Sequence, residues 1–343
     1  MLQNVSDSKS MKLPQGHPPV TKGRVGVLLV NLGTPESTQA GDVRRYLREF
    51  LSDRRVVDYP RALWLPLLHG VILTTRPRKA GAAYAKIWDQ ETKESPLRRY
   101  TREQAEGVAA RLPEVHVDWA MRYGVPGIAG RIEGLREAGC DRILLVPLYP
   151  QYSATTTATV VDAAAAHLAS LAWQPALRTL PPFPDEPDYI GALAASARDA
   201  MPDGCERVIL SYHGLPQRYF AAGDPYHCHC QKTSRLLREA MGWDGAFAPI
   251  AFQSKFGPEK WLEPSTESLV VAAAEEGLKR IAIMAPAFVS DCIETLEEVG
   301  IGLAETFEAS GGEDLSLIPC LNVRSDWLDA LAGLVRRELS GWL

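Results

Sequence analysis

Short runs of Val, Ile and Leu alternate along this chain with longer stretches rich in Ala, Glu and Arg. The runs predict strands at residues 24–32, 115–122, 142–148, 207–212, 247–253, 280–286 and 315–320. The stretches 100–111, 127–138, 160–171, 234–241 and 269–277 read as helices. Strands that are apolar at every position are buried on both faces, as in a parallel sheet covered by helices. The class is therefore α/β, built from right-handed strand–helix–strand units.

The strands fall into two clusters on either side of "LPPFPDEP" (residues 180–187), a stretch suited to a crossover between domains. A chain of 343 residues also exceeds what one core usually serves. The expected division is a disordered leader at 1–22, a first domain at 23–183 and a second at 184–323. The C-terminal helix, 324–343, is expected to pack back on the first domain. Each cluster makes a small doubly wound sheet, and ligands of such sheets bind beyond the carboxyl ends of the strands.

Composition narrows the partners. With 37 Lys and Arg against 42 Asp and Glu, the net charge of -5 provides no field for nucleic acid. The leader has no apolar core of a signal peptide, and no run of about 18 apolar residues predicts a membrane span. A cytoplasmic location is expected, with the six cysteines as reduced thiols or metal ligands.

The residues that follow the strands carry the candidate chemistry. Asn31–Glu36 lacks the glycines of a phosphate loop and reads as a tight turn with Pro35 opening a helix. Arg122, Tyr123 and Tyr149 either grip a flat anionic ligand or are ordinary core-edge residues. His213 ends a strand before Gly214, which suits metal binding and proton uptake equally with a hydrogen-bonded structural role. Glu294, three residues after Asp291, fits a capping box. It also stands four residues before Glu298, and stacked carboxylates at a cleft mouth suit the conduction of a cation or of protons.

Taken together, "LLVNLGTPES", "AMRYG", "PLYPQYSATTT", "SYHGLPQRYFAAGDPY", "FQSKFGPEKWLEPST" and "APAFVSDCIETLEEVG" resemble the ferrochelatases over residues 24–321. The resemblance implies a chelatase fold of two similar Rossmann-like domains, each with a parallel four-stranded sheet, and a cleft between them. It implies insertion of ferrous iron into protoporphyrin IX, both being substrates, and the "ETLEE" form favours protoporphyrin over coproporphyrin. It places His213 and Glu294 as the catalytic and metal-holding pair, and Asp291 and Glu298 on a proton or metal path. Leu32, Arg122, Tyr123, Tyr149, Ser254, Trp261 and Phe288 line the porphyrin. Physically, such a reaction needs a pocket that bends the macrocycle, a base near neutral pKa and loose oxygen ligands for Fe(II).

"GDPYHCHCQKT" departs from the simplest pattern. Cys228 and Cys230, with Cys205, are the candidate ligands of a [2Fe-2S] cluster, against free thiols in a loop. The position at which animal members carry an early cluster cysteine is Ala154. Residues 62–74, "ALWLPLLHGVILT", form either a core helix or the apolar lip of the cleft. As a lip they imply peripheral contact with the inner membrane, and exposed Trp64 and Leu67 would favour it. The chain is expected to be a monomer or homodimer. Rival readings are a metal-delivery protein centred on 227–230, and a chelatase for coproporphyrin or another divalent ion.

Overall fold

The computed structural model describes residues 15–16, 23–255, 257 and 259–343; apart from Gln15 and Gly16, the expected leader lies outside them. Eight strands form two parallel sheets. β1 (Arg24–Gly33), β2 (His116–Tyr123), β3 (Cys140–Pro147) and β4 (Ala176–Thr179) pair in the order β2-β1-β3-β4. β5 (Arg207–His213), β6 (Ile250–Gln253), β7 (Arg280–Met284) and β8 (Asp314–Ile318) pair in the order β6-β5-β7-β8. Counted from its own first strand, each sheet has the same order. The chain reverses direction of travel at β1/β3 and again at β5/β7. These reversals leave crevices beyond the ends of those four strands.

In the first half, α1 (Ala40–Ser52), α2 (Arg61–Leu67), α3 (Leu73–Ile87) and α4 (Pro96–Arg111) lie between β1 and β2. α5 (Ile128–Glu137) and α6 (Thr159–Ala169) follow β2 and β3. α7 (Pro187–Ala200) joins the halves. In the second half come α8 (Gln217–Ala221), α9 (Tyr226–Met241), α10 (Thr266–Glu275), α11 (Ala304–Ala309) and α12 (Ser325–Glu338). Three segments are π-helical: Leu68–Ile72, Ala154–Ala158 and Glu294–Leu303. β4 escapes the hydrophobic pattern because it is a four-residue edge strand carrying Arg178, whose Nη1 donates to the carbonyl of Glu338 at 2.8 Å.

One contiguous core runs through both halves. Val27, Leu29 and Leu144 of the first half share it with Tyr189, Leu210 and Tyr212 and with Trp327, Leu331 and Val335 of α12. α12 therefore packs on α4 of the first half and on α7. Gly33 has φ +121°, and a Cβ there would lie 1.9 Å from the Tyr123 carbonyl oxygen. Only glycine lets the end of β1 approach β2 this closely.

Candidate active site

His213 is the last residue of β5, and its ring Nδ1 lies 2.7 Å from the carbonyl oxygen of Gly214. A carbonyl only accepts, so Nδ1 carries the hydrogen and Nε2 keeps a free lone pair. The Gly214 N–H in turn donates to the Gln253 carbonyl at 2.8 Å. A Cβ on Gly214 would sit 2.8 Å from that oxygen and 3.0 Å from the Trp261 ring. Trp261 thus lies flush against the histidine turn, and its Nε1 is buried without a partner among the described residues.

The acidic side begins at Asp291, and here the structure separates residues that the sequence groups. Asp291 is buried, with Oδ1 accepting from Thr295 Oγ1 at 2.9 Å and Oδ2 from Asn322 Nδ2 at 2.6 Å. Both oxygens are engaged, so Asp291 anchors the segment and is not open to the cleft. Its N–H donates to Asn322 Oδ1 at 2.8 Å, which leaves no capping box for Glu294 to close. Glu294 instead opens a ten-residue π-helical segment, a form that concentrates at functional sites. Its carbonyl accepts from Gln253 Nε2 at 2.8 Å. Because Gln253 is the register partner of His213, the histidine and Glu294 are held at the same end of the second sheet.

Glu298 accepts from Ser254 Oγ at 2.5 Å. Solvent reaches this side chain, yet the surrounding protein and the nearby Glu294 push its carboxyl up to about 7. The adjacent Glu297 is paired with Lys86 of α3 at 2.8 Å.

The polar-aromatic set divides into two. Arg122 Nε donates to the Thr159 hydroxyl at 2.7 Å and Nη2 to Asp53 Oδ2 at 2.5 Å. The hydroxyl of Tyr123, a fully buried residue, donates to the same Asp53 oxygen at 2.8 Å. Burial raises the Asp53 carboxyl, but hydrogen bonds from Thr159, the Arg55 N–H and Tyr123 outweigh it and leave the group below its ordinary value. Tyr123 is therefore a support beneath the site, with Asp53 as a hub that the sequence reading missed.

Tyr149 is different. Its hydroxyl is buried without a partner among the described residues. Burial, and then Tyr123 and Glu294 among its neighbours, raises its phenol. Tyr46 and Tyr84 were also missed. Both are buried, and burial, with the field of Glu294 among the further causes, raises both phenols. Leu32 and Phe288 are half-buried, at the ends of β1 and just past β7. Leu32, Tyr149, His213 and Phe288 thus follow the four strands at the two reversals, whereas Arg122 and Ser254 follow the outer strands β2 and β6.

A cavity of about 850 Å³ opens beside α1, lined by Tyr46, Glu49, Asp53, Arg61, His69 and Arg122 among others. His213 and Glu294 are not among its lining residues, while Thr34, which lines it, also lines a small neighbouring cavity with Glu294.

The cysteine-rich stretch is a helix, not a loop: residues 227–230 lie in the first turns of α9. Two residues apart on a helix, Cys228 is exposed and Cys230 fully buried. Cys205 precedes β5, and the seven-residue strand places it about 20 Å from the end where α9 begins. The donor set proposed for a [2Fe-2S] cluster does not converge. His229 Nδ1 accepts the Tyr152 N–H at 3.1 Å, and the His227 ring stacks on Phe252. Among the described residues no three His, Cys, Asp or Glu side chains group to hold a metal.

In segment 62–74 the two indicator residues part. Trp64 is buried, with Nε1 donating to the Leu51 carbonyl at 2.7 Å. Leu67 is 47% exposed, in line with Leu63 at 74% and Val71 at 52%. Among the described residues no helix is long and apolar enough to cross a membrane.

The ferrochelatase family model matches residues 24–339. The chain is 56% identical over 337 residues to the ferrochelatase of Agrobacterium fabrum, covering 96% of this chain and 98% of that one. It is 55% identical over 333 residues to that of Rhizobium meliloti, covering 95% and 98%. Among solved structures, SirB from Bacillus subtilis with Fe3+ aligns with a TM-score of 0.54 at 13% identity, over 92% of this chain and 95% of that one. The sirohydrochlorin chelatase SirB of Bacillus subtilis subspecies spizizenii with cobalt gives 0.55 at 12%, over 93% and 96%. At such identities the likeness is one of fold.

Proposed function

The chain belongs to the ferrochelatase family, and on that premise we infer that it is a porphyrin metal chelatase that inserts ferrous iron during haem synthesis. We assign protoporphyrin IX as the macrocycle, on the "ETLEE" form at 294–298. The observation that carries the assignment of roles is the pairing of His213 and Glu294 through Gln253. His213 Nε2, its tautomer set by the Gly214 carbonyl, takes a pyrrole proton as general base. Glu294 offers oxygen ligands that hold Fe(II) loosely enough to release it. Glu298, with its carboxyl near 7, exchanges protons at neutral pH and passes them outward.

The unpartnered Tyr149 hydroxyl and Trp261 Nε1 support a ligand with polar groups at this end of the sheets. Leu32 and Phe288 would supply apolar contact to the ring, Ser254 would hold Glu298, and Arg122, backed by Tyr123, would act from the far side of the pocket. Asp291 acts by position. The division at 23–183 and 184–323 is supported by every strand pairing falling within one half. We place the enzyme in the cytoplasm with peripheral membrane contact through Leu63, Leu67 and Val71. Residues 61–87 support this contact, carrying five Lys or Arg and no Asp or Glu.

The test is spectroscopic. Ferrous iron and protoporphyrin IX, mixed anaerobically with the chain, should convert free-base bands to a haem spectrum, faster than with coproporphyrin. Faster turnover of coproporphyrin would overturn the substrate, and no turnover of either would overturn the function.

A further inference from the structure

Gln253 closes β6, is 6% exposed, and bonds in both directions. Its main-chain carbonyl accepts the Gly214 N–H at 2.8 Å, and the Gly214 carbonyl holds His213 Nδ1 at 2.7 Å. Its side chain reaches the segment after β7, where Nε2 donates to the Glu294 carbonyl at 2.8 Å. The amide cannot rotate away, because Oε1 accepts from Ser211 Oγ at 2.7 Å. That hydroxyl is in turn 2.8 Å from Thr266 Oγ1. The orientation of the amide is therefore set from below by the sheet and by α10.

The carbonyl that Gln253 holds belongs to the first residue of the π-helical segment. The π-helical form is rare and concentrates at functional sites, and an outside donor on its first peptide anchors the backbone that carries the Glu294 side chain. At the histidine turn, glycine at 214 is what permits the close approach, since a Cβ would meet the Gln253 carbonyl at 2.8 Å.

We propose that Gln253 is a positioning residue for metal insertion. One residue sets the separation of base and metal ligand, holding the His213 turn with its main chain and the Glu294 peptide with its side chain. This rests on the reading of His213 and Glu294 as the reacting groups. Misplacement of such groups by about 1 Å costs on the order of 100-fold in rate.

Gln253→Leu removes both side-chain bonds, while Gln253→Glu keeps the acceptor for Ser211 and loses the donor to Glu294. The kcat of both variants should fall about 10- to 100-fold, with KM for porphyrin within about twofold of wild type. The loss should vanish when either change is made in a Glu294→Gln background, because the residue acts through Glu294. Rates are normalised to folded protein by porphyrin binding, and the glutamate variant carries the test if the leucine variant does not fold. Unchanged kcat in the glutamate variant, or an equal loss with and without Glu294→Gln, would overturn the proposal. A wild-type chain inactive on every porphyrin would instead remove the functional reading on which it stands.

Discussion

Ser254 donates its hydroxyl to the carboxylate of Glu298 at 2.5 Å, from a backbone held in the left-handed region at φ +63°. A non-glycine residue there is strained, and such strain clusters where a side chain must be aimed. The aimed group is a carboxyl that desolvation by the surrounding protein and the charge of Glu294 push up to about 7 from an ordinary 4.5. Between those values the folded chain holds more protons at this site than the unfolded chain, so its contribution to stability falls as pH rises through that window. Glu298→Gln should remove this slope. Urea unfolding at pH 5 and pH 8 should show wild type losing more stability than the variant, and equal losses would place the carboxyl near its ordinary value.

The reacting pair gives a sharper contrast between rate and stability. His213→Ala removes a base worth about 100- to 10,000-fold in rate from a half-buried strand end, so turnover should collapse with little change in melting temperature. Glu294→Gln should behave alike, since the Asp291 N–H is already given to Asn322 and no helix cap depends on Glu294. A variant of either residue with wild-type turnover would take it out of the mechanism.

What could be read from the chain follows from which contacts are local. Doubly buried strands such as 24–32 and 207–212 announce themselves by continuous apolar runs, and the residues after them fall at the crevices by topology. The motifs around His213 and Glu294 accordingly fall at the carboxyl ends of β5 and β7. The division of labour inside each motif was not legible. Asp291 and Glu294, three residues apart, differ because Asn322, 31 residues beyond Asp291, engages only Asp291. Tyr123 and Tyr149 look alike in sequence, yet only Tyr123 finds Asp53. The "HCHC" run suggested a loop because its helix begins without a side-chain cap after Pro225.

Asp291 should prove structural. Asp291→Ala strands Thr295, Asn322 and the Cys320 N–H in a buried site, at a cost of about 3 kcal/mol. Thermal unfolding should show the loss, while the folded fraction keeps its porphyrin affinity. A stable variant with abolished turnover would return Asp291 to the proton or metal path.

Asp53 should show the opposite pH sign from Glu298. Its carboxyl is held below the ordinary 3.8, so its contribution is complete above that value and is lost as pH falls through the folded value. Asp53→Asn should therefore destabilise the chain at pH 7, and the difference from wild type should shrink below about pH 4. The variant should also loosen Arg122 and Tyr123, lowering porphyrin affinity. A stability difference that does not change with pH would mean that the ionised form is not what these partners hold.

The cysteines offer a test in which chemistry and spectrum must agree. Exposed Cys228 should react with an aromatic disulfide reagent at the rate of a free thiol, and fully buried Cys230 only on unfolding. Because the two thiols point apart and Cys205 lies at the other end of β5, protein purified without oxygen should carry no visible iron–sulfur absorption. Cys228→Ser should leave both melting temperature and turnover unchanged. A visible chromophore that disappears in Cys228→Ser would show that the first turns of α9 rearrange around a cluster, and would restore the thiol as its ligand.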